Sequence, residues 1–549
     1  MIYKVPFRNT LSPICTILMY KILLLFAPLQ NKDNLIYTMS PTLLFSFVLA
    51  YFALLLGVAW YTSRNSTNET FFIGNRNSNW MLVAFGMIGT SLSGVTFVSV
   101  PGKVGIAAFS YFQVVIGYII GYIVVAFVLL PLYYKMNLTS IYNYLLKRFG
   151  FYAYKTGALF FIISRTLGAT ARLYLVINVL QIFILDTMGV PFFVTAFVIL
   201  LMILLYTFEG GVRTIVFTDT LQTTFMLLGL IVCVFYIMSQ LNLSMSGTWQ
   251  ALELNKFTHI FNTDVKSGDF FLKSIIGGAF ITIGMTGLDQ EMMQKNISVR
   301  TLKDSQKNMI TLSILQAVVV FIFLVLGGLL YVYAMSKGGS FEQVVVNGKQ
   351  QIHFLLDGKN IIGDNIFPEI AFSYLPPIIG VIFIIGLISA LFPSADGALT
   401  ALTSSLCIDI IGLNRKEEWA EKKRMRIRMT VHLIMAVVFL LCVLVFKWID
   451  NKSIIDIILK LAGYTYGPLL GLFSFGILTK RRLPESIAVT IVTLVAPALC
   501  YLVDMNATKW FGGYQVGIEL LIINGLFTFI GLLIISKSNK GDSVDLTSI

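Results

Sequence analysis

Four charged side chains stand inside apolar stretches that are each long enough to cross a lipid bilayer as a helix: Asp219, Asp396, Arg165 and Arg172. A charge at bilayer depth costs at least about 2.5–3.5 kcal/mol, which makes each of these residues a functional candidate. A buried carboxylate can bind a cation, and a guanidinium can bind a carboxylate through two parallel hydrogen bonds. We therefore predict cation sites at the two aspartates and a site for a carboxylate-bearing solute at the two arginines.

The two arginines are seven residues apart, so a helix would place both on one face, with Gly168 between them. The alternative is that one arginine pairs with one aspartate inside the protein and serves stability alone. The sequence leaves both interpretations open.

Three runs of small and hydroxyl-bearing residues interrupt the apolar stretches, at 85–102, 276–294 and 388–405. Backbone that leaves helical geometry at membrane depth is tolerated only where it is buried in protein or lines a cavity. There, freed carbonyl groups and hydroxyls supply oxygen ligands for a hard cation such as sodium. The alternative for each run is close packing of intact helices. We predict broken helices around a cation site; an unbroken helix over 88–97, packed away from Ser394, would contradict this.

The elements that position these residues are predicted to be membrane-spanning helices. The chain is 57% hydrophobic and 12% charged, whereas a typical soluble domain has about 25% charged residues. The apolar residues come in blocks of about twenty, which is the length that crosses a bilayer core as a helix. We predict an all-α polytopic membrane protein with 13 spans, near residues 42–63, 79–110, 111–134, 156–184, 190–207, 214–240, 270–292, 309–335, 377–411, 429–447, 454–479, 484–503 and 513–536.

The order of the spans predicts an internal repeat. The first two runs of small residues lie in the spans that open two groups of five, 79–240 and 270–479. Interrupted helices at corresponding positions of two halves are typical of transporters built from inverted repeats. One span (42–63) precedes the repeats, an extracellular loop (241–269) joins them, and two spans (484–536) follow them.

The charge distribution predicts the orientation. The formal net charge is +13, and Lys and Arg concentrate in loops on one side of the predicted membrane, as cytoplasmic loops do. We place the N-terminus outside the cell membrane and the tail (537–549) in the cytoplasm. We assign the basic residues to topology and lipid contact rather than to nucleic acid. Residues 1–41 are interpreted as a leader or as an upstream extension of the reading frame, with Met39 as the start.

The five cysteines and three histidines have no spacing typical of a disulfide framework or of a zinc site. We therefore predict no metal beyond sodium. The sequence also contains no recognisable His/Asp/Ser constellation, so we predict that the protein is not an enzyme.

Several motifs together resemble the sodium/solute symporter family, over roughly residues 42–536. Segment 90–103 is especially similar to the bacterial sialic acid transporters. The resemblance implies a LeuT-type core of 5+5 helices in inverted repeats, with one extra N-terminal and two extra C-terminal helices, and sodium as the coupling ion. The motifs are Gly210-Gly211 with Thr218-Asp219 and Gln222, similar to the fifth core helix, Asp289-Gln290-Glu291, similar to the end of the sixth, and 463–476, similar to the tenth.

The resemblance also implies sodium ligands. Asp219 matches the acid of a second sodium site that some family members have. The chain departs from the family at Pro393 and Gly397, which supply no hydroxyl where one is expected, and Asp396 stands at a Ser/Thr position. We predict that the Asp396 carboxylate replaces these oxygens and binds sodium or a proton. The groups matching the principal sodium site are the carbonyls of Gly89, Leu92 and Ala390 and the hydroxyl of Ser394.

Solute-binding residues follow from the likeness to the sialic acid transporters. Their carboxylate-binding arginine aligns with Gly168, about one turn from each arginine of this chain. Their glutamine aligns with Val115, two residues from a glutamine here. The residues predicted to bind solute are the matching Ser93 and Thr96, together with Gln113, Arg165 and Arg172.

The predicted function is secondary active symport, in which sodium entering the cell drives uptake of a small organic anion such as a sialic acid or another carboxylate. One alternative is a sodium- or proton-coupled symporter for a sugar, a polyol or an amino acid, which would leave the arginines structural. Another is a transporter-like protein that senses a solute without moving it.

Overall fold

The protein is described from a computed structural model, which covers residues 41–62, 78–207, 211–346, 349–416, 418–449 and 454–538. Nearly all of the predicted leader and tail, residues 1–40 and 539–549, lies outside these described residues. Helices dominate the described part of the chain, as predicted.

The helices are numbered here in chain order, and α3, α5, α9 and α13 each contain a short π-helical stretch. They are α1 (Pro41–Thr62), α2 (Trp80–Ala107), α3 (Tyr111–Lys135), α4 (Asn143–Phe149), α5 (Phe151–Met188), α6 (Phe192–Thr207), α7 (Gly211–Gln240), α8 (Met245–Leu254), α9 (Phe271–Gly287), α10 (Gln290–Ile297), α11 (Leu302–Ser336), α12 (Ile366–Glu369), α13 (Pro377–Ile411), α14 (Glu421–Ile449), α15 (Ile454–Leu478), α16 (Ala488–Trp510) and α17 (Leu520–Ile535).

Within the described ranges, ten helices are long and apolar enough to cross a membrane, and the bent pair α9 and α10 makes an eleventh if it is taken as one span. Helices α6 and α17 are apolar but only 16 residues long. Every predicted span contains a helix, yet two of these helices are shorter than the usual spanning length. The count of 13 spans is therefore not confirmed.

A small antiparallel sheet lies in the segment between α11 and α13, and it was not predicted. Asp357 and Gly358, which join its last two strands, have φ of 49° and 76°. A type I′ hairpin turn needs positive φ at both central residues, and Asp-Gly is a strong sequence signal for it. The strands pair in the order β1 (Ser340–Val346), β2 (Lys349–Leu356), β3 (Lys359–Asn360).

Two of the three predicted helix breaks are present. Helix α2 is interrupted at Ser93, and the chain turns by 64° between α9 and α10. The prediction of a break in 388–405 is wrong, because α13 continues through Pro393. A proline has no N–H to donate to the carbonyl four residues earlier. Neighbouring helices can hold such a helix in place, so the missing hydrogen bond need not bend it.

Glycines bring the central helices together. A Cβ atom added to Gly86 would lie 3.0 Å from the Cβ of Asp219 on α7, and one added to Gly89 would lie 2.5 Å from Oγ1 of Thr223. Any larger side chain at these positions would push α2 away from α7. The run of small residues in α2 therefore sets the close approach on which the site depends.

Candidate ion and solute site

The break in α2 places irregular backbone inside the protein. Ser93 has φ 32° and ψ 167°, and it is only 3% exposed. A residue with a side chain rarely adopts such a positive φ, at a cost of order 1–3 kcal/mol, and this strain gathers at ligand sites. The predicted break within 88–97 is confirmed.

The broken part of α2 faces α13. A Cβ atom added to Gly89 would lie 3.3 Å from Cγ of Pro393, and one added to Gly94 would lie 3.7 Å from Cα of Leu391. The residues that match the principal sodium site therefore lie on two helices that face each other inside the protein. The remaining members of that set are all buried: Leu92, Ala390 and Ser394.

Asp219 contacts a lysine that was not among the predicted site residues. Lys295, on α10, is 3% exposed, and its Nζ lies 2.7 Å from Oδ2 of Asp219. The same ammonium donates to Oγ1 of Thr90 at 2.7 Å, three residues before the break in α2. A charged hydrogen bond thus joins α10 to both α2 and α7.

Arg165 is also paired. Glu291, one turn before Lys295 on α10, forms a short ion pair with Arg165 and places its other oxygen 3.6 Å from the Lys295 ammonium. Arg165 further lies 3.9 Å from Oδ2 of Asp289, which accepts a hydrogen bond from the Tyr466 hydroxyl. Internal pairing of an arginine thus occurs, although with Glu291 and Asp289 rather than with the two aspartates considered from the sequence.

Asp396 differs from these acids because it forms no ion pair within the described ranges. It is fully buried, and its Oδ2 accepts a hydrogen bond from the Tyr206 hydroxyl at 2.8 Å. Its Oδ1 accepts the backbone N–H of Gly397. The carboxylate is therefore held in place by neutral donors and keeps its capacity to bind a cation.

Arg172, unlike Arg165 on the same helix, forms no ion pair with a carboxylate among the described residues. It is 9% exposed and lines a small cavity together with Gly168, Met285 and Tyr466. A Cβ atom added to Gly168 would meet nothing within 4 Å. Open space therefore lies one turn from a buried, unpaired positive charge.

Gln113 lies elsewhere. Its Nε2 donates to the carbonyl oxygens of Ser110 and Asp269, at 2.9 and 3.3 Å, and its Oε1 accepts the N–H of Asn262 at 3.1 Å. These contacts fix the segment between α8 and α9 and use both of the amide's donors. The structure does not bring Gln113 to the cavity beside Arg172.

A second cavity, of about 380 Å³, opens between the ends of α2, α3 and α15 and reaches Ser99 of α2. Lys103 lies in its wall and forms an ion pair of 2.9 Å with Asp456. Other charged residues line it: Asp269, Asp364, Lys460 and Asp504. This vestibule approaches the break in α2 from one end of the helix bundle.

Comparison with known proteins identifies the family. A family model described as the sodium:solute symporter family matches residues 71–486. The chain belongs to the sodium:solute symporter family. Sodium is therefore its coupling ion, and the protein is a multi-pass membrane transporter rather than an enzyme.

Curated relatives of this symporter align along most of their length. The sodium/sialic acid symporter SiaT of Proteus mirabilis is 24% identical over 493 residues, covering 87% of this chain and 92% of the relative. The sodium/sialic acid symporter NanT of Aliivibrio fischeri is 23% identical, covering 89% and 93%. A solved structure of a Na⁺-coupled sialic acid symporter in a substrate-bound outward-open state superposes with a TM-score of 0.74 at 20% identity, covering 89% of this chain and 97% of that one. The LeuT-type fold is confirmed.

Lys295 of this symporter's site was missed from the sequence, because it falls just after the predicted span 270–292, in a loop expected to be basic and cytoplasmic. A signal was present: Glu291 and Lys295 are four residues apart, the spacing of an ion pair on a helix. Met292, Met293 and Ile297 indicate that this helix is buried rather than solvated.

Proposed function

We propose that this symporter couples sodium entry to the uptake of a small organic acid that carries one carboxylate, such as a sialic acid. The observation that carries the proposal is the buried guanidinium of Arg172, which has no acidic partner among the described residues and borders a cavity. Leaving a buried charge without a partner is costly in free energy. A solute carboxylate would supply the missing partner through two parallel hydrogen bonds.

The arginines have different roles in this proposal. Arg165 already contacts Glu291 and Asp289, so binding a solute there would require breaking a buried ion pair. Arg172 needs no such exchange. We therefore assign the solute carboxylate to Arg172, with Ser93 and Thr96 at the break in α2 as further contacts, and we assign Arg165 to the framework.

The sodium half of the proposal rests on oxygen atoms at the interface of α2 and α13. Carbonyl groups near the break, the Ser394 hydroxyl and the unpaired Asp396 carboxylate are hard oxygen ligands, as sodium prefers. Pro393 removes one N–H from α13 and frees the carbonyl of Ser389 from its usual partner. These groups make up for the hydroxyl that Pro393 does not supply.

We further propose that the protein lies in the cell membrane with its N-terminus outside and its tail in the cytoplasm. The bias of Lys and Arg to one set of loops supports this orientation. The vestibule around Lys103 then faces the extracellular medium. Labelling of single cysteines introduced at Lys460 and at Lys416 with an impermeant reagent on intact cells would test it: we expect labelling at Lys460 alone, and the reverse would overturn the orientation.

Uptake into proteoliposomes tests the function. The matched solutes are N-acetylneuraminic acid and its methyl ester, which keeps the sugar and removes the charge. We expect an inward sodium gradient to drive uptake of the acid and not of the ester, and a potassium gradient to drive neither. Equal uptake of a neutral sugar would favour the sugar symporter, and sodium-dependent binding without uptake would favour the sensor.

A further inference from the structure

We propose that Lys295 is a built-in cation that permanently fills the cation site at Asp219, so that the transport cycle carries a single sodium ion. The proposal concerns the ion stoichiometry of the proposed symport and rests on that function. It replaces the expectation that Asp219 binds a transported ion.

The position of the ammonium carries the proposal. Nζ of Lys295 lies 2.7 Å from a carboxylate oxygen of Asp219, 2.7 Å from the Thr90 hydroxyl and 3.6 Å from Oε1 of Glu291. These oxygens come from three helices, α7, α2 and α10, and surround the ammonium as oxygen ligands surround a bound cation. Two monovalent cations could not share one such cluster, because their repulsion would be unscreened by water.

The position that faces this lysine on α13 has no room for a side chain. A Cβ atom added to Gly397 of α13 would lie 3.1 Å from Nζ of Lys295 and 2.3 Å from Oε1 of Glu291. A hydroxyl-bearing residue at 397 would therefore collide with the pair. The ion pair between Lys295 and Glu291 therefore requires glycine at 397.

Oxygen atoms would remain if the ammonium were removed. Oδ1 of Asp219 and Oε1 of Glu291 are buried and accept no hydrogen bond from the described residues. The Thr90 hydroxyl lies 3.3 Å from Oδ2 of Asp219. Without Lys295 these atoms would form a negative, oxygen-lined pocket, which is a latent sodium site.

Among the four acids Asp219, Asp289, Glu291 and Asp396, one is left for the transported ion. Asp289 and Glu291 are neutralised by Arg165, and Asp219 by Lys295, whereas Asp396 has only neutral donors among the described residues. A single mobile sodium at Asp396 completes the pairing. One sodium with one monovalent acid moves no net charge, so uptake by the parent should not respond to membrane voltage.

The test compares the parent, Lys295→Met, and Lys295→Met combined with Asp219→Asn, all in proteoliposomes. We expect the Hill coefficient for sodium in acid uptake to be near one in the parent and near two in Lys295→Met, because the vacated oxygens bind a second ion. It should return to one in the double variant, which lacks the acid. Lys307→Met, which removes an exposed lysine, is the matched control and should behave as the parent.

Membrane voltage gives a second readout. An inside-negative potential of 100 mV supplies about 2.3 kcal/mol per net charge, which is about a 50-fold change in an accumulation ratio. We expect this gain in Lys295→Met alone. A Hill coefficient of two or a voltage-driven gain in the parent would overturn the proposal.

A variant that folds but does not transport can still be tested by its sodium binding, measured without solute. The thermal midpoint Tm of each purified variant is followed as sodium replaces choline, since a bound ion stabilises the folded form. We expect sodium to raise Tm more in Lys295→Met than in the double variant, and equal responses would overturn the proposal. Failure of the parent to transport either solute would overturn the proposed function and leave this comparison to decide the role of Lys295.

Discussion

Two sets of buried charges lie in the helical core, with one arginine of α5 in each, and they differ in whether the charges are paired. In the first set, which we term the paired centre, Arg165 and Lys295 contact Asp219, Asp289 and Glu291. In the second set, the open charges, Arg172 and Asp396 have no oppositely charged partner among the described residues.

This difference indicates which buried charges are available to bind a transported solute or ion. Arg165 and Arg172 stand on one face of α5, two turns apart, and their residue type and burial are the same. Only the pairing differs. The partners of Arg165 are Glu291 on α10 and Asp289 just before that helix, more than a hundred residues later in the chain. A charge already paired stabilises the fold, whereas a charge left open can be neutralised by a transported solute or ion.

The largest expected effect is on stability in the paired centre. Arg165→Met removes the guanidinium from two buried acids, Glu291 and Asp289, and only Glu291 keeps a second cation, Lys295, at 3.6 Å. We therefore expect a loss of about 3–5 kcal/mol in the free energy of unfolding. Combining it with Glu291→Gln should recover part of this loss. Unfolding of the purified variants in detergent measures both. If Arg172→Met destabilised the protein as much as Arg165→Met, the distinction between paired and open charges would fail.

Next in size is the effect of Arg172 on solute affinity. A hydrogen bond to a charged group contributes about 1.5–3 kcal/mol, so Arg172→Met should raise KM for the acid by about 10- to 150-fold. Arg172→Lys keeps the positive charge but cannot form two parallel hydrogen bonds to a carboxylate. Its KM should lie between those of the parent and of Arg172→Met. KM is measured from uptake kinetics, and an unchanged Tm shows that the variant is folded. An unchanged KM in Arg172→Met would move the solute site elsewhere.

A smaller effect is expected at the open carboxylate. Tyr206→Phe removes the hydroxyl that orients Asp396, a hydrogen bond of about 0.5–1.5 kcal/mol. The sodium concentration for half-maximal uptake should therefore rise by about 2- to 12-fold. Tyr464→Phe is the control, since it removes a tyrosine-to-aspartate hydrogen bond that does not involve Asp396. Equal shifts in both variants would argue against Asp396 as a sodium ligand.

The smallest effect is expected for the ion pair in the vestibule. Nζ of Lys103 lies 2.9 Å from Oδ1 of Asp456, but the Asp456 side chain is 56% exposed. Exposed pairs contribute about 0.2–1 kcal/mol. Lys103→Met should therefore change Tm little, and a loss as large as that of Arg165→Met would show that distance rather than burial sets the stability.

Much of the fold could be predicted because membrane spans leave a strong local signal. The apolar blocks located the helices, and the Gly/Ser/Thr run located the break at Ser93. The hairpin was missed because its Asp357-Gly358 turn lies outside any apolar block. The break predicted in 388–405 is absent because α13 continues through Pro393. Packing against neighbouring helices can compensate for the hydrogen bond that a proline lacks, and no local pattern reveals that packing.

Less of the site could be predicted, because pairing depends on contacts between distant segments. Asp219, Asp396 and both arginines stood out as charges in apolar surroundings. Lys295 did not, since its positive charge matched a cytoplasmic loop. Gln113 was proposed for its position beside an aligned residue, but its amide is taken by Ser110, Asn262 and Asp269.

An experimental structure with sodium and N-acetylneuraminic acid bound would test most directly whether the open charges are the transported ligands' partners. We expect the solute carboxylate on the guanidinium of Arg172, the ion within reach of Asp396, and Lys295 still bonded to Asp219. A carboxylate on Arg165, or an ion on Asp219 with the Lys295 ammonium displaced, would contradict the division into paired and open charges.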